Sequence, residues 1–255
     1  MLLSIITINY NNAIGLKKTM QSVVNQTWSN FEYIVIDGNS SDNSVAIIKA
    51  FNFTNLKWIS EQDTGIYNAM NKGIKMAKSE YLLFLNSGDV LNGVTALNDF
   101  IQHPNLIGDI IYGDYKFDKG EKIYPDVLTP LFFIKSSLPH QSTFFKRSVF
   151  DSIGLYDESY KIAADRAFYI KCFLSDKFKF THIKYPLTIY DLTGLSNSKD
   201  FNFTKKKEDE AIFKKYYGLF YNDYMKYLQL EKELSIIKGL TFKGMIKRIK
   251  KRLKI

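Results

Sequence analysis

Along the first third of the chain, apolar runs of strand length alternate with segments of helical period, and each run stops at a polar loop. Leu3–Ile8 is almost continuously apolar, as a strand buried on both faces of a parallel sheet must be. Ile14–Gln26 then repeats Leu16, Met20, Val23 and Val24 on one helical face. Tyr33–Ile36 is a second buried run. It ends at Asp37-Gly38-Asn39-Ser40-Ser41-Asp42, where Ser41 or Asp42 is suited to cap a helix through Val45, Ile48 and Phe51. Lys57–Ser60 predicts a short strand, and Gly65–Ala77 predicts a helix with Ile66, Met70, Gly73, Ile74 and Ala77 on one side. Tyr81–Leu85 is a further buried strand, stopping at Asn86-Ser87-Gly88-Asp89. This β-α-β-α-β-α-β succession predicts a doubly wound α/β domain, with a mostly parallel sheet and right-handed crossovers. Such sheets bind ligands beyond the carboxyl ends of their strands. The loops expected there carry Asn9 and Asn11, Asp37, Asp63 and Asp89, so four polar loops share one edge.

Past residue 108 the pattern changes. Asp109–Tyr115 and Thr143–Lys146 read as strands, Tyr160–Leu174 as a helix, and Phe178–Tyr190 as one or two strands. This is an α+β half laid on the same sheet. No repeat, linker or boundary intervenes before about Ser198, after which a Lys-, Glu- and Tyr-rich helical extension over 198–255 is expected. Its end sets Phe242, Met245, Ile246, Ile249 and Leu253 at helical spacing among Lys243, Lys247, Arg248, Lys250, Lys251, Arg252 and Lys254, a basic amphipathic helix.

Charge follows the same division. The chain of 255 residues carries a formal +9, yet residues 1–198 hold 19 basic and 19 acidic side chains. Residues 199–255 hold 16 basic and 7 acidic ones. A neutral body with a basic tail does not suit a domain that coats nucleic acid, and no nucleic-acid partner is expected. It suits an electrostatic docking segment directed at an anionic membrane surface. Cys172 is the only cysteine, which excludes an internal disulfide and a cysteine-cluster metal centre and fits a reducing compartment. The apolar start lacks a basic region and runs into Asn9-Tyr10-Asn11-Asn12, so it reads as a strand and not a signal peptide. No run approaches the length of a membrane span. The expected location is cytoplasmic, with peripheral contact to the inner membrane face.

The chemistry-bearing residues each carry a plainer reading beside the functional one. Asp89, at the mouth of the sheet, is well placed to hold Mg²⁺ or Mn²⁺ against a diphosphate. Asn-Ser-Gly-Asp is also good turn chemistry, and the motif alone leaves both open. Asp37 is suited either to a nucleotide contact or to shaping the turn at Gly38, and Asp63 either to the site or to a helix start. Asp42 reads as a cap. Asp165, near the start of an apolar helix, is placed to receive a proton from a bound hydroxyl, but taken alone it reads as structural. His103, His140 and His182 show no metal-binding spacing. No P-loop, G-x-G-x-x-G turn or G-x-S-x-G elbow occurs. A sheet edge supplying carboxylates favours a nucleotide held through a metal ion.

The ordered set Ser4–Asn11, Gln26-Thr27-Trp28, Tyr33–Asp42, Glu61–Gly73 and Leu83–Asp89 resembles family 2 glycosyltransferases of the GT-A fold. His140-Gln141, Ala164-Asp165 and Gly194-Leu195-Ser196 extend the likeness to about residue 197. The resemblance implies an inverting, metal-dependent transferase that takes a nucleotide-sugar, most commonly UDP-linked, to a saccharide acceptor. A lipid-linked acceptor in surface polysaccharide synthesis fits the basic tail. The domain expected is 1–197, with a nucleotide-sugar half over 1–90 and an acceptor half over 91–197. Donor contacts are implied for Thr7, Asn9, Tyr10, Asp37, Asp63, Asn86 and Ser87, metal binding for Asp89, base catalysis for Asp165, and an acceptor-side place for His140 and Gln141. The chain departs from the family at Gly38 and Ala164, where acids are common, and in Asn86-Ser87-Gly88-Asp89, which has one acid where many members have two or three, so its metal affinity leans on the donor's diphosphate. The competing readings are a nucleotidyltransferase and a catalytically degenerate nucleotide-sugar or glycan binder docked at the membrane.

Overall fold

Each apolar run of the first third becomes a strand in a computed structural model that describes residues 1–192, 202–240 and 246. In chain order the elements are β1 (Leu3–Asn9), α1 (Ala13–Val24), β2 (Phe31–Asp37), α2 (Ser44–Ala50), β3 (Leu56–Ser60), α3 (Ile66–Met76) and β4 (Tyr81–Phe84). The second half adds β5 (Val90–Leu91), α4 (Ala96–Ile101), β6 (Ile110–Phe117), β7 (Gly120–Lys122), α5 (Pro130–Lys135), β8 (Thr143–Lys146), α6 (Arg147–Ile153), α7 (Ala164–Leu174) and β9 (Phe180–Ile189). Two helices follow, α8 (Asn202–Tyr217) and α9 (Tyr221–Leu240). The strands form one sheet in the order β3-β2-β1-β4-β8-β6-β9-β5, with β7 paired to β6.

The parallel ladders are the long ones. β1 runs beside β2 from Leu3 opposite Phe31 to Asn9 opposite Asp37, and β3 and β4 extend the parallel set on either side. Strand order reverses at β1, which has β2 on one edge and β4 on the other, the place where such sheets open a crevice. Both β1 and β2 are buried throughout, which explains their unbroken apolar character. Leu3 and Ile5 pack with Leu16, Met20 and Val23 of α1 and Ile48 of α2. Ile6 faces the other way and meets α3 at Gly73, where a Cβ would overlap the Ile6 side chain. Asn12 starts α1 by accepting from the Gly15 N–H at 3.0 Å. Asp42 accepts the N–H of Ser44, the first residue of α2, and that of Ala13, so one carboxylate holds two helix starts.

The sheet ladder that joins the two halves is short. β4 meets β8 antiparallel through Tyr81 opposite Lys146 and Leu82 opposite Phe145. Aromatic packing widens this seam. Phe84 contacts Phe145, Phe150 and Tyr156, and Phe150 stacks on Phe168 of α7 at 4.7 Å. Such ring pairs add roughly 0.5–1.5 kcal/mol each beyond area burial.

Several expectations require correction. The helix over Tyr160–Leu174 begins only at Ala164, because the N–H groups of Lys161, Ile162 and Ala163 donate to the Glu208 carboxylate outside any helical ladder. Of the one or two strands expected over Phe178–Tyr190, one forms, over Phe180–Ile189, with Pro186 tolerated at a register shift opposite Asp114. The short elements β5, β7, α4, α5 and α6 carry no periodic signature and were not anticipated.

The residues divide into two compact units that meet within α8, one over Met1–Asp209 and one from Glu210 onward. In the second, Tyr217 and Tyr224 meet edge to face at 5.4 Å, and Leu230, Leu234, Ile236 and Ile237 of α9 are at least half exposed. No described helix is long and apolar enough to cross a membrane. Gly194-Leu195-Ser196 and, apart from Ile246, the expected basic helix over 242–254 lie outside the described residues.

Candidate active site

The register of the parallel strands brings Asn9, Asp37 and Ser60 side by side at the carboxyl edge. Asp37 is fully buried and accepts from Asn9 Nδ2 at 2.8 Å, Ser40 Oγ at 2.6 Å, Ser60 Oγ at 2.7 Å and the Ser40 N–H at 3.0 Å. Burial alone would raise its pKa. The donors outweigh that and hold the carboxyl below its usual range, so it is a fixed anion. Asp63 faces the same loop. Its carboxylate pairs with Lys72 at 2.6 Å, while burial and the charges of Glu61 and Asp37 push its pKa up. A Cβ on Gly38 would stand 2.9 Å from Asp63 Oδ2. A side chain at Gly38 would have to displace the Asp63 carboxylate from this position. Tyr10 is two-thirds exposed at this rim. Thr7 is set deeper: it is fully buried, donates to the Leu85 carbonyl and touches the Tyr33 hydroxyl at 3.0 Å. Its side chain supports the edge from beneath and offers no surface for a direct donor contact.

The loop after β4 forms the second part. Thr19 of α1 donates to the Asp89 carbonyl and accepts the Gly88 N–H, which fixes the turn. Asp89 is 4% exposed and accepts the Asp191 N–H at 2.9 Å. Burial pushes its pKa up to about 7; the Asp191 N–H and His140 oppose this, and the Asp191 charge adds to it. Gly88, at φ +111°, lets the Asp191 carboxylate approach so closely that a Cβ would collide with it. Two carboxylates, one following β4 and one following β9, thus share a notch.

A chain of side chains leads from this loop to α7. Asn86 Nδ2 lies 3.1 Å from His140 Nε2, and His140 Nδ1 lies 3.4 Å from Asp165 Oδ2. With the Asn86 amide donating, the imidazole N–H faces the carboxylate. The Tyr67 hydroxyl of α3 is 3.1 Å from Asp165 Oδ1 and 2.6 Å from the Ile162 carbonyl, and the Arg166 N–H donates to Oδ1 at 2.8 Å. The Asp165 side chain is one-fifth exposed. Burial would raise its pKa, but the His140 contact, the Arg166 N–H and the Tyr67 hydroxyl together lower it. An ionised, oriented and accessible carboxylate is the result. Gln141 is buried in the turn beside His140.

Asn9 Oδ1, Asn86 Oδ1 and Ser87 Oγ are buried here without hydrogen-bond partners. Orphaned polar atoms gathered at one strand edge are what a bound polar ligand would satisfy. No trio of His, Cys, Asp and Glu among the described residues is arranged to hold a metal ion unaided. The oxygen donors of Asp89 and Asp191 nevertheless suit a hard divalent cation that takes its remaining ligands from phosphate and water. Sequence reasoning missed Asp191. Its only signal was an acid directly after the strand ending at Tyr190.

Residues 4–153 match the glycosyl transferase family 2. The PGL/p-HBAD biosynthesis glycosyltransferase of Mycobacterium bovis is 32% identical over 207 residues, covering 76% of this chain and 79% of that protein. The poly(ribitol-phosphate) beta-N-acetylglucosaminyltransferase TarP of Staphylococcus aureus is 30% identical over 193 residues, covering 68% and 58%. Residues 1–349 of S. aureus TarS, solved with UDP-GlcNAc, superpose with a TM-score of 0.65 at 20% identity over 84% of this chain and 67% of that one. Against the longer TarS chain, coverage is 44%. That likeness gives the GT-A architecture that the family resemblance implied. With the family matched over most of the first compact unit, this chain belongs to the family 2 glycosyltransferases.

Proposed function

We propose that the enzyme transfers a sugar from a UDP-sugar to a hydroxyl of a saccharide acceptor, with inversion at the anomeric carbon, in surface polysaccharide synthesis. The observation that carries this reading is the Asn86–His140–Asp165 connection, which ties an ionised carboxylate to the loop bearing Asp89. Asn9 and Asp63, held from behind by the buried Asp37 carboxylate, form a polar wall suited to the nucleoside, with Tyr10 at its open rim. TarS and TarP, with UDP-GlcNAc and N-acetylglucosamine transfer in their descriptions, favour a UDP donor.

In this mechanism Asp165 accepts the proton of the acceptor hydroxyl as its oxygen forms a bond to the anomeric carbon. The bond from that carbon to the diphosphate oxygen breaks, and UDP leaves with the electron pair. Asp89, with Asp191 beside it, would hold Mg²⁺ or Mn²⁺, whose chemistry is to offset charge on the departing diphosphate. Tyr67 and His140 keep Asp165 aimed. The domain assigned to this work is 1–197, with the donor side over 1–90. The acceptor is proposed to be lipid-linked at the cytoplasmic membrane face, reached through the basic stretch over 243–254, at ~1 kcal/mol per basic residue near an anionic surface. If so, a chain ending at residue 240 loses binding to phosphatidylglycerol vesicles, and retained binding removes the docking role.

The test is incubation with a panel of nucleotide-sugars in Mn²⁺ or EDTA, following nucleoside diphosphate release. Metal-dependent release that collapses in Asp165→Asn, with donor affinity within about twofold, supports the reading. Pyrophosphate made from a sugar phosphate and a nucleoside triphosphate would indicate a nucleotidyltransferase. Donor binding without turnover would indicate a degenerate binder.

A further inference from the structure

The helix carrying Asp165 begins without a cap of its own. Ala163 occupies the capping position, and its side chain has no acceptor. The free N–H groups ahead of α7 are met by a residue more than 40 positions downstream. Glu208 of α8 accepts the Lys161 N–H at 2.7 Å through one carboxylate oxygen, and those of Ile162 and Ala163 at 3.0 Å each through the other. The adjacent Asp209 pairs with Arg166 at 2.8 Å, with less than a fifth of either side chain exposed. Ile162 is gripped from both ends, because its carbonyl is the closer partner of the Tyr67 hydroxyl that also touches Asp165. One carboxylate across three successive N–H groups is a strong, charge-assisted arrangement for setting where a helix starts.

We propose that Glu208 is a positioning residue for the transfer reaction: it fixes the first turn of α7 and thereby the direction in which Asp165 presents its carboxylate. The inference rests on Asp165 being the base. It makes the start of the helical extension a working part of the transferase domain, where the sequence suggested only a docking appendage.

Purified full-length wild type, Glu208→Gln, Glu208→Ala, Asp165→Asn and the Glu208→Ala/Asp165→Asn double variant are assayed for UDP released from UDP-GlcNAc in Mn²⁺. Amide hydrogen exchange over residues 161–165 is followed in parallel. Glu208→Ala is expected to lower kcat by about tenfold or more, with the donor KM changed by less than about twofold. Glu208→Gln, which retains one acceptor oxygen, recovers part of the loss. In the Asp165→Asn background the same change costs less than about twofold, because its effect passes through the missing base. Exchange at Ile162 and Ala163 accelerates in both Glu208 variants, an outcome that is read even where UDP-GlcNAc is not turned over.

Unchanged exchange overturns the inference, and so does an equal loss of kcat with and without Asp165. A parallel rise in donor KM also overturns it. Full turnover by Asp165→Asn would sink the base assignment instead. An inactive Asp165→Asn beside an unimpaired Glu208→Ala would sink only the positioning role.

Discussion

Asp89 provides a test of the site that needs no substrate. A carboxyl whose ordinary pKa is 3.8 is held at about 7 by burial, against the opposing Asp191 N–H and His140. The fold therefore binds this proton more tightly than the unfolded chain does. The contribution to stability is fully present below pH 3.8, is lost as pH rises through 7, and leaves the whole penalty above it. Three pKa units at roughly 1.4 kcal/mol each put that penalty at about 4 kcal/mol. Asp89→Asn removes the charge and keeps the oxygen that accepts the Asp191 N–H. In EDTA at pH 8 the variant should exceed wild type by about 4 kcal/mol in urea unfolding, or roughly 10 °C in Tm for a domain of this size. At pH 4 the two should coincide. Adding Mn²⁺ to UDP should raise the wild-type Tm beyond the shift with UDP alone and add nothing for the variant. Equal stability at pH 8, or the same gain at both pH values, would refute the claim that Asp89 is an uncompensated buried charge awaiting a cation.

Further perturbations have defined outcomes. Gly73→Ala would be favourable by about 1 kcal/mol in an ordinary helix, but the collision with Ile6 should reverse the sign and cost roughly 1–3 kcal/mol in urea unfolding. Glu32 is buried, which by itself raises its pKa, but Lys57, Ser4 and the Lys78 N–H bring it down to about 2. It should contribute about 3 kcal/mol above pH 4.5, lost as pH falls toward 2, and Glu32→Gln should flatten that limb of the stability profile. A chain ending at residue 197 keeps every strand but lacks Glu208 and Asp209. It should bind UDP with near-native affinity by calorimetry while losing most of its turnover, whereas a chain ending at 240 should retain it.

The donor half was readable because of how a parallel sheet is built. Strands covered on both faces are apolar at every position, so Leu3–Ile8 and Tyr33–Ile36 stand out, and their loops must hold the polar residues. The gathering of Asn9 and Asp37 follows directly from register. In the second half, β5 has two residues and β7 is wholly exposed, while α4, α5 and α6 span six or seven residues, less than two helical turns. Periodicity has too few positions there to register. Asp191 and Glu208 were missed for a different reason. An acid after a strand and an acid in a Lys-rich helix look like solvated charges, and only three-dimensional placement separates them from their neighbours. Gly38 shows the same limit. Its neighbour Asp63, whose carboxylate stands 2.9 Å from where a Cβ would lie, carries no trace of that proximity in the sequence.

The two-pair junction between β4 and β8 has a wider bearing. Backbone ladders are stiff, whereas interleaved rings yield by fractions of an ångström when one is trimmed. Because the wall proposed for the nucleotide and the proposed base stand on opposite sides of that junction, Phe84, Phe145, Phe150 and Tyr156 act with the Tyr67 and Asn86–His140 links to Asp165 in fixing their separation. Trimming any of these rings should therefore alter reaction geometry as well as thermal stability, so a packing change well outside the polar loops reaches the chemistry.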